Sequence, residues 1–299
     1  MPIQQMLVGI GAGEKFAEAT GGTVTTVGDY KVHAFTSSGT FTVTQLGDVN
    51  EFEALIVAGG AGPGTQWVQG GGGGGGIVNH QTGQALTAAA YTITIGAGGS
   101  GVTYNVTPFA NVPGNEGGDS SIKLASDNSI ILEADVSDIS GSQSGNASHN
   151  LDGGNSAKVI NGTTTQYTGG GGYHPLSGAG GGAGSGAGGG HTQLNHISGV
   201  WHIEGGTGGD GLAVSITGSS VNYGGGGGAS SASHSYTSAG GAGGGGTGAS
   251  WDGTSPTAGS ANTGGGGGGG TGTYPNHASL ARPSANGGSG IVYIKYKYQ

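Results

Sequence analysis

Apolar and polar residues alternate along several short stretches of the chain, and this is the pattern of strands with one buried face. Phe41 and Val43 alternate with threonines, and residues 91–95 repeat the alternation as Tyr-Thr-Ile-Thr-Ile. Residues 54–58 are instead continuously apolar, which is typical of a central strand covered on both faces. These patterns predict a sheet that begins near Tyr30 and contains a fully buried strand at 54–58.

Two further apolar stretches predict a hairpin. Residues 121–124 and 130–132 flank the sequence Ser126-Asp127-Asn128-Ser129, whose polar residues favour a tight turn. In this interpretation the Asp127 carboxylate serves the turn. We find no helical period beyond residue 20, so residues 28–135 are predicted to be all-β.

The two ends of the chain differ in character. At the C-terminal end, Val292, Ile294, Tyr296 and Tyr298 alternate with the opposite face of a predicted strand over residues 291–298. At the N-terminal end, residues 1–27 are interpreted as a tether, in which 14–19 could form one or two helical turns. A closing strand that follows a long glycine-rich region indicates that the chain leaves one sheet and returns to it.

Glycine dominates the region between these strands. The chain has 77 glycines in 299 residues, and seven stand in a row both at 70–76 and at 264–270. Glycine has no side chain to bury and loses much backbone entropy on ordering, so the tracts are either disordered or packed through their backbones. Charged residues are only 8% of the chain, which favours order, since disorder normally accompanies high charge.

A glycine run in the polyproline II conformation has three residues per turn and no internal hydrogen bonds, so its N–H and C=O groups point sideways. Several such runs side by side can bond to one another, and without Cβ atoms they can approach closely enough to do so. We therefore expect a bundle of polyglycine II helices. A set of solvated flexible linkers is the alternative, and residues 178–190 also suggest a silk-like β stack.

Together these patterns predict an all-β fold, a jelly-roll-like β-sandwich with an inserted glycine-rich bundle of polyglycine II helices. The predicted organisation has three parts. Residues 1–27 are an N-terminal arm, residues 28–168 are the sandwich with the first glycine tract, and residues 169–299 are the bundle with its loops and the closing strand.

Charge and composition exclude several classes of function. A net charge of −9 with only seven basic residues argues against binding to nucleic acid, and there are no cysteines for disulfides or thiolate metal sites. His191, His196 and His202 are spaced by five and six residues, which fits neither a helix face nor a strand face, so solvent-facing histidines are favoured over a metal site. We expect no catalytic residues, no cofactor and no bound metal.

The segments between the glycine tracts carry aromatic residues together with Ser, Asn and His. Aromatic side chains beside small polar residues are typical of adaptable binding loops, and amphipathic rings suit the faces of sugars. The candidate binding residues are Tyr104, Phe109, Tyr173, His174, Trp201, His202, Tyr236, Trp251, Tyr274 and His277.

Four blocks in order resemble a known family. They are residues 33–43 (HAFTSSGTFTV), 55–60 (LIVAGG), 92–99 (TITIGAGG) and 288–294 (GSGIVYI). This pattern is similar to the glycine-rich domain of many bacteriophage tail fibre and virion proteins. The tracts and variable loops also resemble the receptor-binding adhesins at the fibre tips of T-even-like phages, in which a polyglycine II sandwich supports loops that contact the host.

The resemblance implies a tail fibre or adhesin-type protein located in the virion. The arm, with Met6, Leu7, Val8 and Ile10, would attach to other tail or baseplate proteins. The loops would bind a host cell-surface receptor, either a glycan or an outer-membrane protein. Many fibres are trimers, but this chain has no coiled-coil heptads, so the homo-trimer stays an open alternative.

Two other functions stay open at this point. The first is a purely structural virion component, such as a fibre stalk, baseplate or decoration protein, without a receptor of its own. The second is a glycan hydrolase, because the chain carries several glutamates, although their spacing shows no catalytic pair. The predicted binding function differs from both in requiring exposed loops at a free end of the particle.

Overall fold

The computed structural model describes residues 14–66, 69–103, 111–136, 152–170, 172, 179–197, 200–231, 236–271 and 281–299. These residues contain no α-helix, and therefore no helix that is long and apolar enough to cross a membrane. The all-β fold predicted from the alternation is confirmed.

Nineteen strands are formed by the described residues. In chain order they are β1 Glu18–Thr20, β2 Thr23–Val27, β3 Tyr30–Phe35, β4 Gly39–Gln45, β5 Glu51–Val57, β6 Thr65–Gln66, β7 Gln69–Gly70, β8 Val78–Ala85, β9 Ala90–Thr94, β10 Asn111–Val112, β11 Ser120–Leu124, β12 Ile130–Ala134, β13 Ser156–Ile160, β14 Thr163–Tyr167, β15 Gln193–Ile197, β16 Val200–Glu204, β17 Leu212–Val214, β18 Val221–Tyr223 and β19 Ile291–Lys297.

Two large sheets form a sandwich. One has five strands in the order β1-β4-β9-β11-β12, and the other has seven in the order β14-β13-β8-β5-β19-β3-β2. Neighbouring strands pair antiparallel except β13 and β8, which pair parallel. The closing strand β19 therefore returns to the centre of the seven-stranded sheet, between β5 and β3, as its alternating sequence predicts.

The main apolar core lies between these two sheets. Phe41, Tyr91 and Ile122 face it from the five-stranded sheet, while Ile56 and Ile294 face it from the seven-stranded one. Strand β5 is buried on both faces, because β17 and β18 pack with Val214 and Tyr223 over its outer face. The central position predicted for the apolar run at 54–58 is confirmed.

The predicted hairpin at 121–132 is also confirmed. Strands β11 and β12 pair antiparallel around a turn in which Asn128 has a φ of 60°. The Asp127 carboxylate accepts the Ser129 N–H at 2.9 Å, and this bond is the main cause that lowers the pKa of Asp127. Asp127 therefore serves the turn.

The helical turns expected over residues 14–19 are wrong. Residues 14–17 form no regular structure, and Glu18–Thr20 is strand β1, which pairs with β4. Residues 23–27, which the sequence assigns to the arm, are strand β2 of the seven-stranded sheet. These short segments lack the long apolar alternation that reveals the other strands, because both are largely exposed edges. Residues 1–13 lie outside the described residues.

One histidine is fully buried in the sandwich core. His33 stacks against Tyr296 at 5.5 Å and meets the Phe41 ring edge-on at 5.1 Å. Its Nδ1–H donates to the Gly21 carbonyl at 2.7 Å, which leaves Nε2 to accept the Tyr296 hydroxyl at 3.2 Å. Burial is the main cause that lowers the pKa of His33, so the neutral ring is the native form.

This burial predicts that the protein loses stability in mild acid. The pKa of His33 is lower in the folded chain than the ordinary value of 6.5, so the unfolded chain takes up the proton first as the pH falls. The free energy of unfolding should therefore decrease from pH 7.5 to pH 5.5, as measured by urea unfolding. His33→Gln should lower the stability at pH 7.5 but flatten this pH dependence.

A matched control is His191→Gln, which changes an exposed histidine and should leave the free energy of unfolding at pH 7.5 close to that of the wild type. A second loss of stability should appear only below about pH 4.5, because the hydrogen bond from His80 is the main cause that lowers the pKa of Glu53 to about 2. Equal slopes for the wild type and His33→Gln between pH 7.5 and 5.5 would contradict the assignment.

Candidate functional site

Residues 224–231 form the centre of the glycine bundle, and from residue 225 onward their N–H groups donate in three directions in turn. Residues 227 and 230 donate to the carbonyls of 73 and 70, residues 225, 228 and 231 donate to 243, 246 and 249, and residues 226 and 229 donate to 209 and 206, all at 2.8–3.0 Å. Every third residue thus meets the same neighbour. This period is that of the polyproline II helix.

The carbonyls of the same tract accept hydrogen bonds from three further segments. Residues 182 and 185 donate to 227 and 224, residues 266 and 269 donate to 225 and 228, and residue 241 donates to 226. The central tract is therefore surrounded by six backbone segments, all bonded to it laterally. The predicted bundle of glycine tracts held together by main-chain hydrogen bonds is observed, and the solvated-linker alternative does not describe these residues.

The bundle has two distinct ends. Tract 58–64 leaves the sandwich from β5, while tracts 70–76 and 282–290 run back into β8 and β19. Turns at 185–187 and 242–244 lie on the sandwich side, where residues 185 and 225 bond to 224 and 243. At the opposite end, residue 230 bonds to 70 and residue 284 bonds to 102. We call this second end of the bundle the free end.

Buried serines terminate the lateral hydrogen-bond pattern at the free end. The Ser230 hydroxyl accepts the Gly70 N–H at 2.9 Å, and the Ser238 hydroxyl donates to the Gly205 carbonyl at 2.8 Å. Ser284 accepts the Gly270 N–H at 3.1 Å. A buried backbone group without a partner is costly, so these hydroxyls replace the neighbour that each tract loses where it ends.

A hairpin stands at the free end where the sequence predicted a loop. Strands β15 and β16 pair antiparallel, and the register places His196 opposite Trp201 and Asn195 opposite His202. The structure describes the backbone of Trp201 and His202. The loop prediction for this segment is wrong, although the dipeptide Ser198-Gly199, between stretches that contain β-branched and aromatic residues, is a turn signal.

Trp251 is partly buried in a turn that its neighbours hold closed. The Asp252 carboxylate accepts the hydroxyl of Ser250, and it accepts the N–H and hydroxyl of Thr254 at 3.3 and 3.1 Å. Arg282 Nε donates to the Gly253 carbonyl at 3.0 Å and so fastens this turn to the start of the last tract. Trp251 could be predicted from the sequence as a binding residue, whereas the supporting roles of Asp252 and Arg282 could not, because they depend on contacts within the folded turn.

The remaining predicted binding residues have different outcomes. Tyr236 is half-buried and lies two residues before the buried Ser238 at the free end. Six predicted binding residues lie outside the described residues: Tyr104, Phe109, Tyr173, His174, Tyr274 and His277. The predicted attachment residues Met6, Leu7, Val8 and Ile10 also lie outside them. The described residues that flank these six binding residues, such as Val102 and Arg282, are at the free end.

A small sheet at the free end was not predicted from the sequence. Strands β6 and β7 form a hairpin, and β10 joins it by pairing with β6. Each of the three strands has only two residues, too few to show an alternating pattern. The two residues between β6 and β7 in sequence, Trp67 and Val68, are not turn formers, so no local signal indicated this hairpin. Its pairing with β10 depends on tertiary packing.

Charged side chains concentrate on the sandwich rather than at the free end. Glu53 binds His80 at 2.8 Å and Lys295 at 2.9 Å on the outer face of the seven-stranded sheet. Of the seven basic residues, Arg282 alone belongs to the bundle, and it is engaged with backbone carbonyls. Within the described part of the chain, no group of three or more His, Asp or Glu side chains could hold a metal ion. The free end can therefore offer aromatic, hydroxyl and amide groups on a backbone-bonded support.

A family model described as a glycine-rich domain matches residues 36–297 of the chain. This match covers both the strands of the sandwich and the glycine tracts, and the chain belongs to this glycine-rich domain family. No curated protein sequence matches the chain.

Proposed function

We propose that this chain is a bacteriophage tail fibre or adhesin-type virion protein that binds a host cell-surface receptor. In this proposal the N-terminal arm attaches to other tail or baseplate proteins. The segments at the free end of the bundle contact a glycan or an outer-membrane protein of the host. The protein acts by binding, without catalysis or a cofactor.

The observation that carries the proposal is that the N-terminal segment and the free end of the bundle lie at opposite ends of the protein. Phe16 lies beside Lys297, the last residue of β19, whose first residue adjoins the bundle. The chain therefore enters at the end of the sandwich furthest from the bundle, which we call the base. A protein that attaches at its base and presents segments at its free end has the polarity that an adhesin needs.

The support beneath the free end favours recognition as well. Lateral main-chain hydrogen bonds fix the tracts on all sides, so the segments between them start from positions that do not move relative to one another. Binding loops on a rigid scaffold lose less conformational entropy when they meet a partner. The closed turn around Trp251 illustrates this, because Asp252 and Arg282 hold it in place.

Replacing the tryptophans at the free end tests the proposal. Labelled wild-type protein is incubated with cells of the bacterium that the phage encoding the chain infects, and binding is measured by flow cytometry. Trp201→Ala and Trp251→Ala together should weaken binding by at least about 30-fold, the effect expected for a hot-spot aromatic residue. Tyr30→Ala is the matched control, since it removes an exposed aromatic ring at the base.

Immunogold electron microscopy of the phage particles separates binding from a purely structural role. Antibody against the chain should label the distal tips of the tail or fibres. Label confined to the inside of the tail, together with no binding of the wild-type protein to cells, would instead support the structural component. Normal cell binding by the folded double variant would reject these two tryptophans as contact residues.

A further inference from the structure

The edge strands of the two sheets differ in charge and in regularity. The five-stranded sheet ends in β1 and β12, which carry Glu18 and Glu133, and its register shifts at bulges next to both edges. Charges and bulges at edge strands are the usual protection against pairing with another chain. The edges of this sheet are therefore blocked.

The edge strands of the seven-stranded sheet lack these charges and bulges. Its edge strands are β2, with the sequence Thr-Val-Thr-Thr-Val, and β14, with the sequence Thr-Thr-Thr-Gln-Tyr. Neither strand has a charge, a proline or a register shift, and four of the five residues in each are exposed. Within the described part of the chain, no strand pairs with their outer sides. Both edge strands have five residues and no charge, in a chain with a net charge of −9.

We propose that these two edges pair with each other between copies of this chain. Strand β14 of one copy joins β2 of the next, so that the copies stand side by side with every glycine bundle pointing the same way. A contact between two different surfaces repeats from copy to copy, and it closes into a ring when the rotation allows. This assembly is independent of the receptor proposed above.

Strand direction supports this pairing over the alternatives. Strand β14 runs toward the bundle, because Tyr167 leads into the tract at 168–170, whereas β2 starts near the bundle and ends at Val27, beside Tyr30 at the base. Copies related by rotation about the long axis of the molecule keep these directions. Strands β14 and β2 then meet antiparallel, while two β2 strands would meet parallel under the same rotation. The antiparallel ladder is the more stable arrangement.

The sequences of the two edges also match in register. If Thr165 pairs with Thr25, all five residues of each strand are paired, including Thr164 with Thr26. Ala157 pairs with Gln166 and His33 pairs with Val24, and both Ala157 and His33 face the core between the sheets. Thr165 and Thr25 are the next residues along their strands, so both lie on the outer face of the sheet. Threonine pairs across strands contribute hydrogen bonds and packing.

This register requires neighbouring copies to be staggered. The paired residues of neighbouring strands can be followed across the sheet from β14 to β2. By this register, Thr165 at one edge lies level with position 21 at the other edge. Pairing with Thr25 therefore displaces the next copy by about four residues, or roughly 13 Å along the strands. Closing a sheet around an axis needs tilted strands and a stagger of this kind.

Cysteine cross-linking tests the pairing, and the absence of natural cysteines makes it clean. Full-length Thr25→Cys and Thr165→Cys proteins are mixed and oxidised with diamide, and the products are separated on a non-reducing gel. The mixture should give covalent dimers, and the double variant should give higher multiples. Thr26→Cys with Thr164→Cys is a companion pair, because adjacent pairs alternate between close and wide spacing.

The single variants and the wild type provide the results that would contradict the proposed pairing. Each single variant alone should stay uncross-linked, whereas dimers of Thr25→Cys alone would show that β2 meets β2 and would overturn the proposal. Light scattering of the wild-type protein at tens of micromolar should give a multiple of the single-chain mass. A wild-type monomer together with an uncross-linked mixture, in variants whose melting matches the wild type, would also overturn it.

Discussion

Gly227→Ala should destabilise the protein by at least about 3 kcal/mol, the range of severe overpacking in a closed core. A methyl group built on Gly227 would lie 2.0 Å from the Gly267 carbonyl oxygen, which is backbone and cannot rotate away. The central tract would have to move from its neighbours and lose lateral hydrogen bonds. We expect the melting temperature to fall by at least about 5 °C, as measured by calorimetry.

Gly39→Ala is the matched control for this substitution. A methyl group at Gly39 would meet only the Phe35 ring at 3.9 Å, an ordinary contact, at an exposed position at the start of β4. Its melting temperature should stay within about 2 °C of the wild type. Equal melting temperatures of the two variants would mean that the tracts are not closely packed. That result would contradict a rigid glycine bundle.

Alanine already occurs inside the tracts, which shows that the restriction concerns position rather than composition. Ala229 is fully buried in the same tract as Gly227, and Ala183 is fully buried in the neighbouring tract. At most of the surrounding glycines, a methyl group would instead lie about 2 Å from a carbonyl of the next tract, as at Gly72 and Gly226. Whether a residue of a tract tolerates a methyl group therefore depends on its position in the bundle.

The strands of the sandwich could be predicted from the sequence because the order of their apolar and polar side chains reflects which faces are buried. The apolar run at 54–58 required cover on both faces, and the alternation at 291–298 required two different faces. Glu18–Thr20 and Thr23–Val27 could not be recognised in the same way. They are exposed edge strands, so burial leaves little pattern in them.

The arrangement of the glycine bundle could be predicted only in part from the sequence. The lateral bonding of the tracts followed from the chemistry of a backbone without side chains. The choice of neighbours did not, because Gly59 and Gly60 are identical residues and yet donate to Gly118 and Gly288. The order of the tracts in space is instead fixed by the strands from which they start, as β5 does for tract 58–64.

The candidate site was predictable in part for a related reason. Aromatic residues between glycine tracts stand out in composition, so the segments were found, but their local structure depends on contacts across the free end. Arg282 fastens the Trp251 turn from 31 positions further along the chain. The division of the chain at residue 168 stays a prediction, although hydrogen bonds from Gly72 and Gly75 to 180 and 183 cross it.

Hydrogen exchange should show the glycine tracts to be among the most protected parts of the protein. Amides of residues 225–229 are buried and bonded to neighbouring tracts at 2.8–3.0 Å, so they exchange only when the bundle opens. For a domain of ordinary stability, exchange should be at least about 10³-fold slower than in an unstructured peptide. Mass spectrometry of peptides that span residues 224–231 measures this rate.

The exposed bend at residues 36–38 is the internal reference, and it should exchange within the first seconds at neutral pH. Gly227→Ala should selectively speed exchange in the central tract and in the tract at 264–271, because the added methyl group separates these two. Exchange of the wild-type tracts as fast as the bend would leave the free end without a fixed support. The receptor proposal would then lose its physical basis, since loops on unfixed tracts would have to be ordered by the partner itself.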